Sequence, residues 1–325
     1  MLNLKPIFAL PMPFYKELDL VFVNPFRLYY FIKRYRPDTI HISTPGPIGF
    51  WGMVIAKWLK IPLYGTYHTD FPSYLYANTN SKFVKKTTIY FLRWFYKDFR
   101  AIFIRSNEYF DVIKSELRFS EDRIYTIPAG IDLNRFNPNF KDENLWHRVY
   151  GLPKDVVVAL YVGRLTVEKN VPFLLELWRD IAKEYPKAWL VMVGSGKYYK
   201  KRDEYKKSNI LFLGHKEGKE LSTIFASVNF FVFPSTTDTL GQVVMEALAS
   251  GLPVIVSDKG GPKTLVNKDY KNGYILEVDK DRFKSVIVEL ILDEKKREEL
   301  SIGAKRSAKN FSFANSFNFF WKNHK

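Results

Sequence analysis

The sequence predicts an α/β fold with two doubly wound, Rossmann-like domains. From about residue 37, short apolar runs alternate with longer amphipathic stretches, which is the pattern of βαβ units in parallel sheets covered by helices. The alternation stops at residues 128–138, which are rich in turn-forming residues and show neither the periodicity of a strand nor that of a helix. It then begins again. A chain of 325 residues is long enough for two such domains.

The first half contains four apolar runs bounded by turn residues, a pattern typical of buried strands. We predict strands at residues 39–43, 62–67, 101–104 and 124–127. Amphipathic stretches between them predict helices at residues 50–59, 81–99 and 108–117, and the proline- and glycine-rich residues 44–49 predict a loop.

The second half repeats the pattern, with six runs that predict strands at residues 156–162, 188–193, 210–213, 229–233, 253–257 and 273–276. A charged amphipathic helix is predicted at 294–310, and an aromatic segment follows it. We therefore expect one domain over residues 1–129, a second over 130–310 and a C-terminal segment over 311–325. Because ligands bind at the carboxyl ends of strands in such sheets, we expect a cleft between the domains to hold the site.

Composition and charge exclude several classes of protein. The 50 Lys and Arg against 34 Asp and Glu give a formal charge of +16, which favours an anionic partner such as a nucleotide or an acidic membrane surface. No nucleic-acid-binding motif is present and the charge is spread over both domains, so we predict no nucleic acid partner. The absence of cysteine excludes disulfides and thiolate metal sites. Residues 1–11 are too short and too broken by proline for a signal peptide, so we expect a cytoplasmic protein.

Two cations follow the first predicted strand of the second domain. Arg164 comes directly after Gly163, and Lys169 comes five residues later. Arginine offers a planar fork and lysine a compact charge, a pair suited to a diphosphate. A solvated loop without a ligand is the alternative interpretation.

A second candidate site combines a helix N-terminus with two carboxylates. The strand at 229–233 leads through a turn into a helix that begins near Gly241. Such a terminus offers free N–H groups and the positive end of the helix dipole to an anion, and glycine lets a ligand approach the backbone closely. Asp238 precedes this terminus and Glu246 lies about two turns further in, so both could reach one ligand. The alternatives are a helix-capping role for Asp238 and a structural ion pair for Glu246.

The spacing of Asp238 and Glu246, with Gly241 between them, resembles that of the family 4 retaining glycosyltransferases, which have the GT-B fold. The likeness covers nearly the whole chain. The further motifs that stand in this family's order are Ile127-Pro128-Ala129-Gly130-Ile131-Asp132, Gly163-Arg164-Leu165 with Lys169, Val193-Gly194-Ser195-Gly196, Leu213-Gly214-His215 and Gly260-Gly261-Pro262. Residues 36–47 and 67–72 are most similar to the branch that transfers mannose or related sugars to lipid or glycolipid acceptors.

The resemblance implies a donor site for a nucleoside-diphosphate sugar. Arg164 and Lys169 would hold the diphosphate and neutralise the charge that develops on the leaving group. Glu246 would accept hydrogen bonds from the ribose, and Asp238 would face the hydroxyls of the transferred sugar. The donor-binding residues that the family implies are Gly163, Gly196, His215, Gly241, Gln242, Val243 and Glu246. No cofactor and no obligatory metal ion are implied.

On the first domain, the resemblance places His68 beside the transferred sugar as a further catalytic residue, because it follows the end of a predicted strand. A structural role for this histidine is the alternative. Pro45, Gly46 and Asp70 would lie on the acceptor side. The segment 311–325 would pack back on the first domain, as the family's last helix does.

Two features depart from the family. Asp238 stands where the family usually has Glu, and the missing methylene shortens the reach of the carboxylate by roughly 1.5 Å. No residues match the family's first strand and its Gly-rich loop, so we expect the N-terminal domain to be incomplete, with open edges on the strands at 39–43 and 62–66. A partner chain that completes this domain is one possible consequence.

Other enzyme classes lack their motifs. A metal-dependent GT-A enzyme needs an Asp-x-Asp pair, and the one candidate, Asp279-Lys280-Asp281, opens a late helix as a capping sequence. Gly194-Ser195-Gly196 has no third glycine for a dinucleotide fingerprint. A P-loop and the Gly-x-Ser-x-Gly elbow of hydrolases are both absent from the sequence.

Residues 82–97 are both cationic and aromatic, which suits a helix that lies on anionic lipid. Packing on the sheet explains the same apolar positions, and we favour packing. The resemblance as a whole implies a retaining transferase that moves a hexose, of mannose or glucose type, from a nucleotide sugar to a lipid-linked or saccharide hydroxyl, and we expect it to act at the cytoplasmic face of a membrane. The alternative is a non-catalytic nucleotide-sugar-binding subunit or a fragment of a split enzyme.

Overall fold

The computed structural model of the chain describes residues 6–12, 15–67, 70–105, 107–128, 130–238 and 240–324. Two compact units make up the chain. Unit 1 is Met1–Pro128 with Asn318–Lys325, and unit 2 is Ala129–Phe317. Each unit contains a parallel sheet and helices, so the predicted α/β class is confirmed.

The strands and helices of unit 1 begin with an antiparallel pair and continue as alternating strands and helices. They are β1 (Phe8–Met12), β2 (Tyr15–Phe22), α1 (Pro25–Tyr35), β3 (Ile40–Ile42), α2 (Pro47–Trp58), β4 (Leu63–Tyr67), α3 (Phe71–Thr79), α4 (Lys82–Tyr96), β5 (Ala101–Ile104), α5 (Glu108–Asp111) and β6 (Ile124–Thr126). A π-helical turn, Val112–Glu116, follows α5. The parallel sheet has the order β3-β4-β5-β6, and β1 pairs with β2 outside it.

The edges of this sheet differ from the sequence prediction. Among the described residues, β3 is a terminal strand, as expected for residues 39–43. β4 is paired on both sides, since Leu63 lies opposite Ile40 and Tyr64 lies opposite Ala101. The prediction of an open edge at residues 62–66 is therefore wrong, because β5 fills that side.

Helix α1 is one of the elements that the sequence interpretation missed, together with β1, β2 and α3. The Asn24 side chain accepts hydrogen bonds from the amides of Phe26 and Arg27, and Pro25 stands at the first helical position. The helix ends at Arg36, whose φ of 44° is left-handed. Asparagine at the cap followed by proline is a regular signal for the start of a helix.

Helix α4 has one buried face and one exposed face. Leu92, Phe95 and Tyr96 are buried in the core of unit 1, so the predicted packing on the sheet is confirmed. Phe83 and Trp94 are exposed on the same helix. The helix begins at Ser81, whose hydroxyl accepts a hydrogen bond from the amide of Val84.

The last residues of the chain belong to unit 1 and pack on its sheet. His324 Nε2 lies 2.7 Å from His41 Nδ1, and His41 Nε2 lies 2.7 Å from the Thr66 hydroxyl. His324 Nδ1 lies 2.7 Å from the Phe320 carbonyl oxygen, and the His324 ring stacks on Phe103. Two neutral imidazoles satisfy this row of hydrogen bonds, because each contact then holds one hydrogen. Burial and the neighbouring His324 lower the pKa of His41 to about 4.

Unit 2 repeats the alternation of strand and helix over a longer stretch. Its elements are α6 (Leu145–Arg148), β7 (Val157–Val162), α7 (Val171–Glu184), β8 (Ala188–Val193), α8 (Lys197–Lys200), β9 (Ile210–Gly214), α9 (Gly218–Ala226), β10 (Phe230–Phe233), α10 (Gln242–Ala249), β11 (Val254–Ser257), β12 (Gly273–Leu276), α11 (Lys280–Leu292) and α12 (Glu294–Ala308). Helix α13 (Phe313–Lys322) follows, and its last residues belong to unit 1.

The sheet of unit 2 has six parallel strands in the order β12-β11-β10-β7-β8-β9. Strand order therefore reverses between β7 and β10, where Phe230 lies opposite Ala159. In open sheets of this kind the loops that leave the carboxyl ends of such a strand pair diverge to opposite faces and leave a crevice for a ligand. The ends of all ten predicted strands differ from those observed by no more than one residue.

Candidate functional site

The candidate donor site lies at this reversal of strand order in unit 2. The loop that contains Gly163 and Arg164 leaves β7, and the loop that contains Asp238 leaves β10. The side chain of Asn170 joins the two loops, since its Nδ2 donates a hydrogen bond of 2.8 Å to the Pro234 carbonyl. Both predicted motifs thus flank the position at which the fold places a ligand.

The loops that leave β7 and β8 approach each other closely. The Leu165 amide donates to the Ser195 carbonyl at 2.8 Å. A Cβ on Gly194 would lie 1.9 Å from the Gly163 carbonyl oxygen, and one on Gly196 would lie 2.7 Å from that of Leu165. Side chains at these positions would push the loops apart, so the glycines keep the base of the site narrow.

Lys169 and Asp238 form an ion pair across the site. The Lys169 Nζ atom lies 2.7 Å from an Asp238 carboxylate oxygen, and the two side chains are 12% and 24% exposed. The structure thus brings together two predicted catalytic residues that are far apart in the sequence. Arg164 behaves differently, because its side chain is 62% exposed and its nearest carboxylate, that of Glu168, is 3.6 Å away.

Helix α10 directs its N-terminus into the same crevice. Gly241 precedes it with a left-handed φ of 74°, and a Cβ there would lie 2.8 Å from a side-chain atom of Pro262. Both facts favour glycine at this position. The amides of Gln242 and Val243 belong to the first turn, where a helix supplies no carbonyl partner, so they are suited to an anion.

Glu246 lies on α10 with only 7% of its surface exposed. Gln242 Nε2 donates a hydrogen bond of 3.3 Å to its carboxylate. Burial raises the pKa of Glu246 to about 7, while the hydrogen bond from Gln242 and the charge of Arg135 act in the opposite direction. The structural ion pair that the sequence left open is not formed, because no salt bridge to this carboxylate occurs within the described residues.

The remaining predicted residues are less tightly grouped. His215 follows β9, two strands away from β7 in the sheet, and its side chain is exposed. Asp70 caps α3, accepting a hydrogen bond of 3.2 Å from the amide of Ser73. Pro45 and Gly46 line a cavity of unit 1. His68 lies outside the described residues.

Three contacts of the donor site were missed in the sequence. The Tyr161 hydroxyl donates to the Arg164 carbonyl at 3.0 Å, the Thr237 hydroxyl donates to the Glu168 carbonyl at 3.0 Å, and Asn170 bridges the two loops. Asn170 has a left-handed φ of 53° directly before helix α7, and an asparagine before the Val-Pro start of a helix is a signal that the sequence contained.

Two further features are absent from the described residues. No group of three His, Asp or Glu side chains converges there as metal ligands would. No helix in the described ranges is both long enough and apolar enough to cross a bilayer.

Comparison with known proteins connects this geometry to a family. The family described as "Glycosyl transferases group 1" matches residues 142–307, and "Glycosyltransferase Family 4" matches residues 3–135. A sulfoquinovosyl transferase of Arabidopsis thaliana is 28% identical over 94% of this chain and 60% of its own length. A GDP-mannose-dependent alpha-mannosyltransferase of Mycobacterium tuberculosis is 30% identical over 88% of this chain and 72% of that protein.

A further relative and a solved structure extend the comparison. An alpha-monoglucosyldiacylglycerol synthase of Streptococcus pneumoniae is 31% identical over 69% of this chain and 52% of its own length. The chain thus spans between about half and three quarters of the length of these relatives. The crystal structure of Anabaena HepE with UDP has a TM-score of 0.73 at 16% identity, covering 92% of this chain and 80% of that one, which shows the shared fold.

The predicted family and fold class are confirmed: the chain belongs to the group 1 glycosyltransferases, has a family 4 N-terminal domain and adopts the GT-B fold.

Proposed function

We propose that the chain transfers a hexose from a nucleoside-diphosphate sugar to a hydroxyl of a lipid-linked or saccharide acceptor, with retention of anomeric configuration. One observation carries the proposal: Lys169 follows β7, while the first turn of α10 and Glu246 follow β10, so all three lie on the segments that leave the two strands at which the sheet order of unit 2 reverses. The site therefore offers one cation, one buried acceptor of hydrogen bonds and a row of amides to one ligand.

Lys169 and Arg164 are suited to bind the diphosphate of the donor. Asp238 holds the Lys169 ammonium in a fixed, mostly buried position, which is the preorganisation that stabilises charge developing on a leaving group. The exposed Arg164 side chain is free to reach the second phosphate as a planar fork. We propose that these cations and the α10 amides suffice, so that turnover needs no metal ion and survives a chelator.

Glu246 is suited to bind the ribose of the nucleotide-sugar donor. A carboxylate buried to this degree gains from two hydroxyl donors that replace lost water. The relatives support a hexose of mannose or glucose type, since one is named as dependent on GDP-mannose and another as a synthase of a glucosyldiacylglycerol.

The surface of helix α4 supports the proposal that the chain acts on an anionic membrane. Helix α4 contains four cations and no carboxylate, and Phe83 and Trp94 are exposed on it. A cationic, aromatic surface of this kind favours adsorption to anionic lipid without crossing the bilayer.

A thermal-shift panel of UDP, GDP, ADP and their sugar conjugates tests the donor site. Ligand at 100 times its dissociation constant raises the free energy of unfolding by about 2.7 kcal/mol. We expect a shift with one nucleotide family that is lost in Glu246→Ala and reduced in Arg164→Ala.

Arg282→Ala is the matched control, because this arginine is 63% exposed in the same unit and pairs with Glu277 at 3.2 Å. It should retain the full shift. The donor assignment is wrong if no nucleotide shifts the wild type, or if Arg282→Ala and Glu246→Ala lose the shift alike.

A further inference from the structure

Unit 1 contains a cavity of about 510 Å³ that none of the donor-site residues touches. Its walls come from β2, the start of α2, α3 and α4, and include Gly46, Ile48, Leu75, Phe91 and Leu92. Most of the lining is hydrocarbon. The volume is in the range of pockets that bind small organic ligands.

Two of the three threonines of the lining, Thr87 and Thr88, present little polarity. The Thr87 hydroxyl donates to the Phe83 and Val84 carbonyls, and the Thr88 hydroxyl donates to the Val84 carbonyl. Because these hydroxyl hydrogens are bound within α4, the two side chains offer a ligand mainly their methyl groups. Asp19 is the single charged residue of the lining, and it is exposed. The cavity is thus suited to a hydrocarbon chain and poorly suited to a sugar.

The cavity is continuous with the exposed aromatic surface of α4. Phe91 lines the cavity and is also 42% exposed. Phe83, Tyr90 and Trp94 are exposed at positions that recur on nearly the same face of the helix, at intervals of seven and four residues. An occupant that enters past Phe91 would therefore come from whatever covers this face.

The charge of α4 identifies that covering surface. The helix contains Lys82, Lys85, Lys86 and Arg93, and no carboxylate balances them on the helix. Lys85 has a weak ion pair, 3.7 Å from Glu116, while Lys82 and Lys86 are exposed. Exposed aromatic rings flanked by cations match the interface of an anionic bilayer, which has phosphate outside and hydrocarbon beneath.

We propose that the cavity binds one hydrocarbon chain of a lipid acceptor, drawn from an anionic bilayer on which α4 lies. The proposal rests on the proposed function and names its acceptor as a lipid with at least one flexible chain. Gly46, for which the family resemblance implies a position on the acceptor side, lines this cavity, so the head group of the bound lipid would remain near the expected acceptor site.

The test is calorimetric titration of the full chain with lysophosphatidylglycerols of increasing acyl length, each below its micelle concentration. Each buried CH₂ should raise the association constant roughly fourfold until the cavity is full, after which the gain stops. An affinity that does not depend on chain length in the wild type would overturn the proposal, since head-group or surface binding alone gives that result.

Gly46→Phe and Gly46→Ala form a matched pair. A Cβ at Gly46 meets no atom within 4 Å and its φ is −78°, so both variants should fold. We expect Gly46→Phe to lose the gain per methylene and Gly46→Ala to keep it. Thr88→Phe, which fills the cavity from α4, should also lose it. Retention of the full gain in both phenylalanine variants would contradict the proposal.

Nucleotide-sugar thermal shifts on the same proteins separate the two hypotheses. If the nucleotide sugar still stabilises Gly46→Phe while the dependence on chain length is lost, the cavity proposal is supported. A wild type that binds the nucleotide sugar but no acyl chain refutes the cavity proposal alone. A wild type that binds the acyl chain with the expected dependence but no nucleotide supports the cavity and refutes the donor site.

Discussion

Donor affinity should depend on pH through Glu246. Burial raises the pKa of this carboxyl to about 7 in the free protein, and the proposed ribose contact needs the ionised form as the acceptor of two hydroxyl hydrogens. Lowering the pH from 8 to 6 takes the ionised fraction from about nine tenths to about one tenth. The association constant of a nucleotide sugar should therefore fall about tenfold, or about 1.4 kcal/mol.

Isothermal titration at the two pH values measures this. A nucleotide sugar is the correct ligand, because the terminal phosphate of a free nucleotide itself titrates near pH 6. Glu246→Gln keeps the shape of the side chain and should bind weakly at both pH values, while Glu277→Gln, an exposed carboxylate in the same unit, should keep the wild-type dependence. Protonation of a histidine would act with the opposite sign, strengthening anion binding at low pH. Equal wild-type affinities at pH 6 and 8, or a tenfold fall that persists in Glu246→Gln, would refute the reasoning.

Three further predictions concern stability and the membrane surface. Gly194→Ala should lower the free energy of unfolding by about 3 kcal/mol or more, because its Cβ would lie 1.9 Å from a backbone oxygen at a φ of 138°. Gly46→Ala is the control, because its Cβ would have no atom within 4 Å, and it should leave the urea midpoint unchanged. The pKa of His41 is about 4 in the folded protein, below its usual 6.5, so the contribution of this histidine to the free energy of unfolding is present above pH 6.5 and is lost as the pH falls toward 4. After allowance for partial exposure, this contribution is about 1 to 2 kcal/mol. His41→Phe should remove that part of the acid destabilisation measured in urea titrations. Lys86→Glu should weaken sedimentation with anionic vesicles by about tenfold or more and leave donor binding unchanged, since each cation near such a surface contributes about 1 kcal/mol.

The strands were predictable because short apolar runs in the sequence indicate that they are buried. Residues 101–104, 188–193 and 273–276 form strands with the predicted ends. Parallel strands covered on both faces read as short apolar runs, and turn residues mark their limits. The pairing of β4 on both sides was not predictable in the same way, because it depends on which strand lies next to which.

The N-terminal hairpin shows the opposite case. β1 and β2 pair from Phe8 opposite Phe22 to Met12 opposite Tyr15, and the proline-rich apolar sequence of residues 6–13 has no periodicity that distinguishes a strand from a loop. Helix α1 could have been found, since Asn24 and Pro25 are ordinary signals for a helix start.

At the site, residue types were predictable and partners were not. The motif around Gly241 indicated a helix N-terminus beside a carboxylate, and the structure has one. The ion pair of Lys169 with Asp238 joins residues on different loops, so no local pattern indicates it. The raised pKa of Glu246 depends on how deeply α10 is buried, which is a property of the assembled unit.

Transfer of a hexose by this chain is measured directly as incorporation of labelled sugar into an acceptor. The chain is incubated with radiolabelled nucleotide sugar and anionic lipid vesicles containing diacylglycerol, and the organic extract is counted. We predict a labelled lipid for one nucleotide sugar, formed in the presence of a chelator and lost in Glu246→Ala but not in Arg282→Ala. Binding of the nucleotide sugar with no labelled product, in this assay and in the same assay with saccharide acceptors, would contradict the proposed transfer.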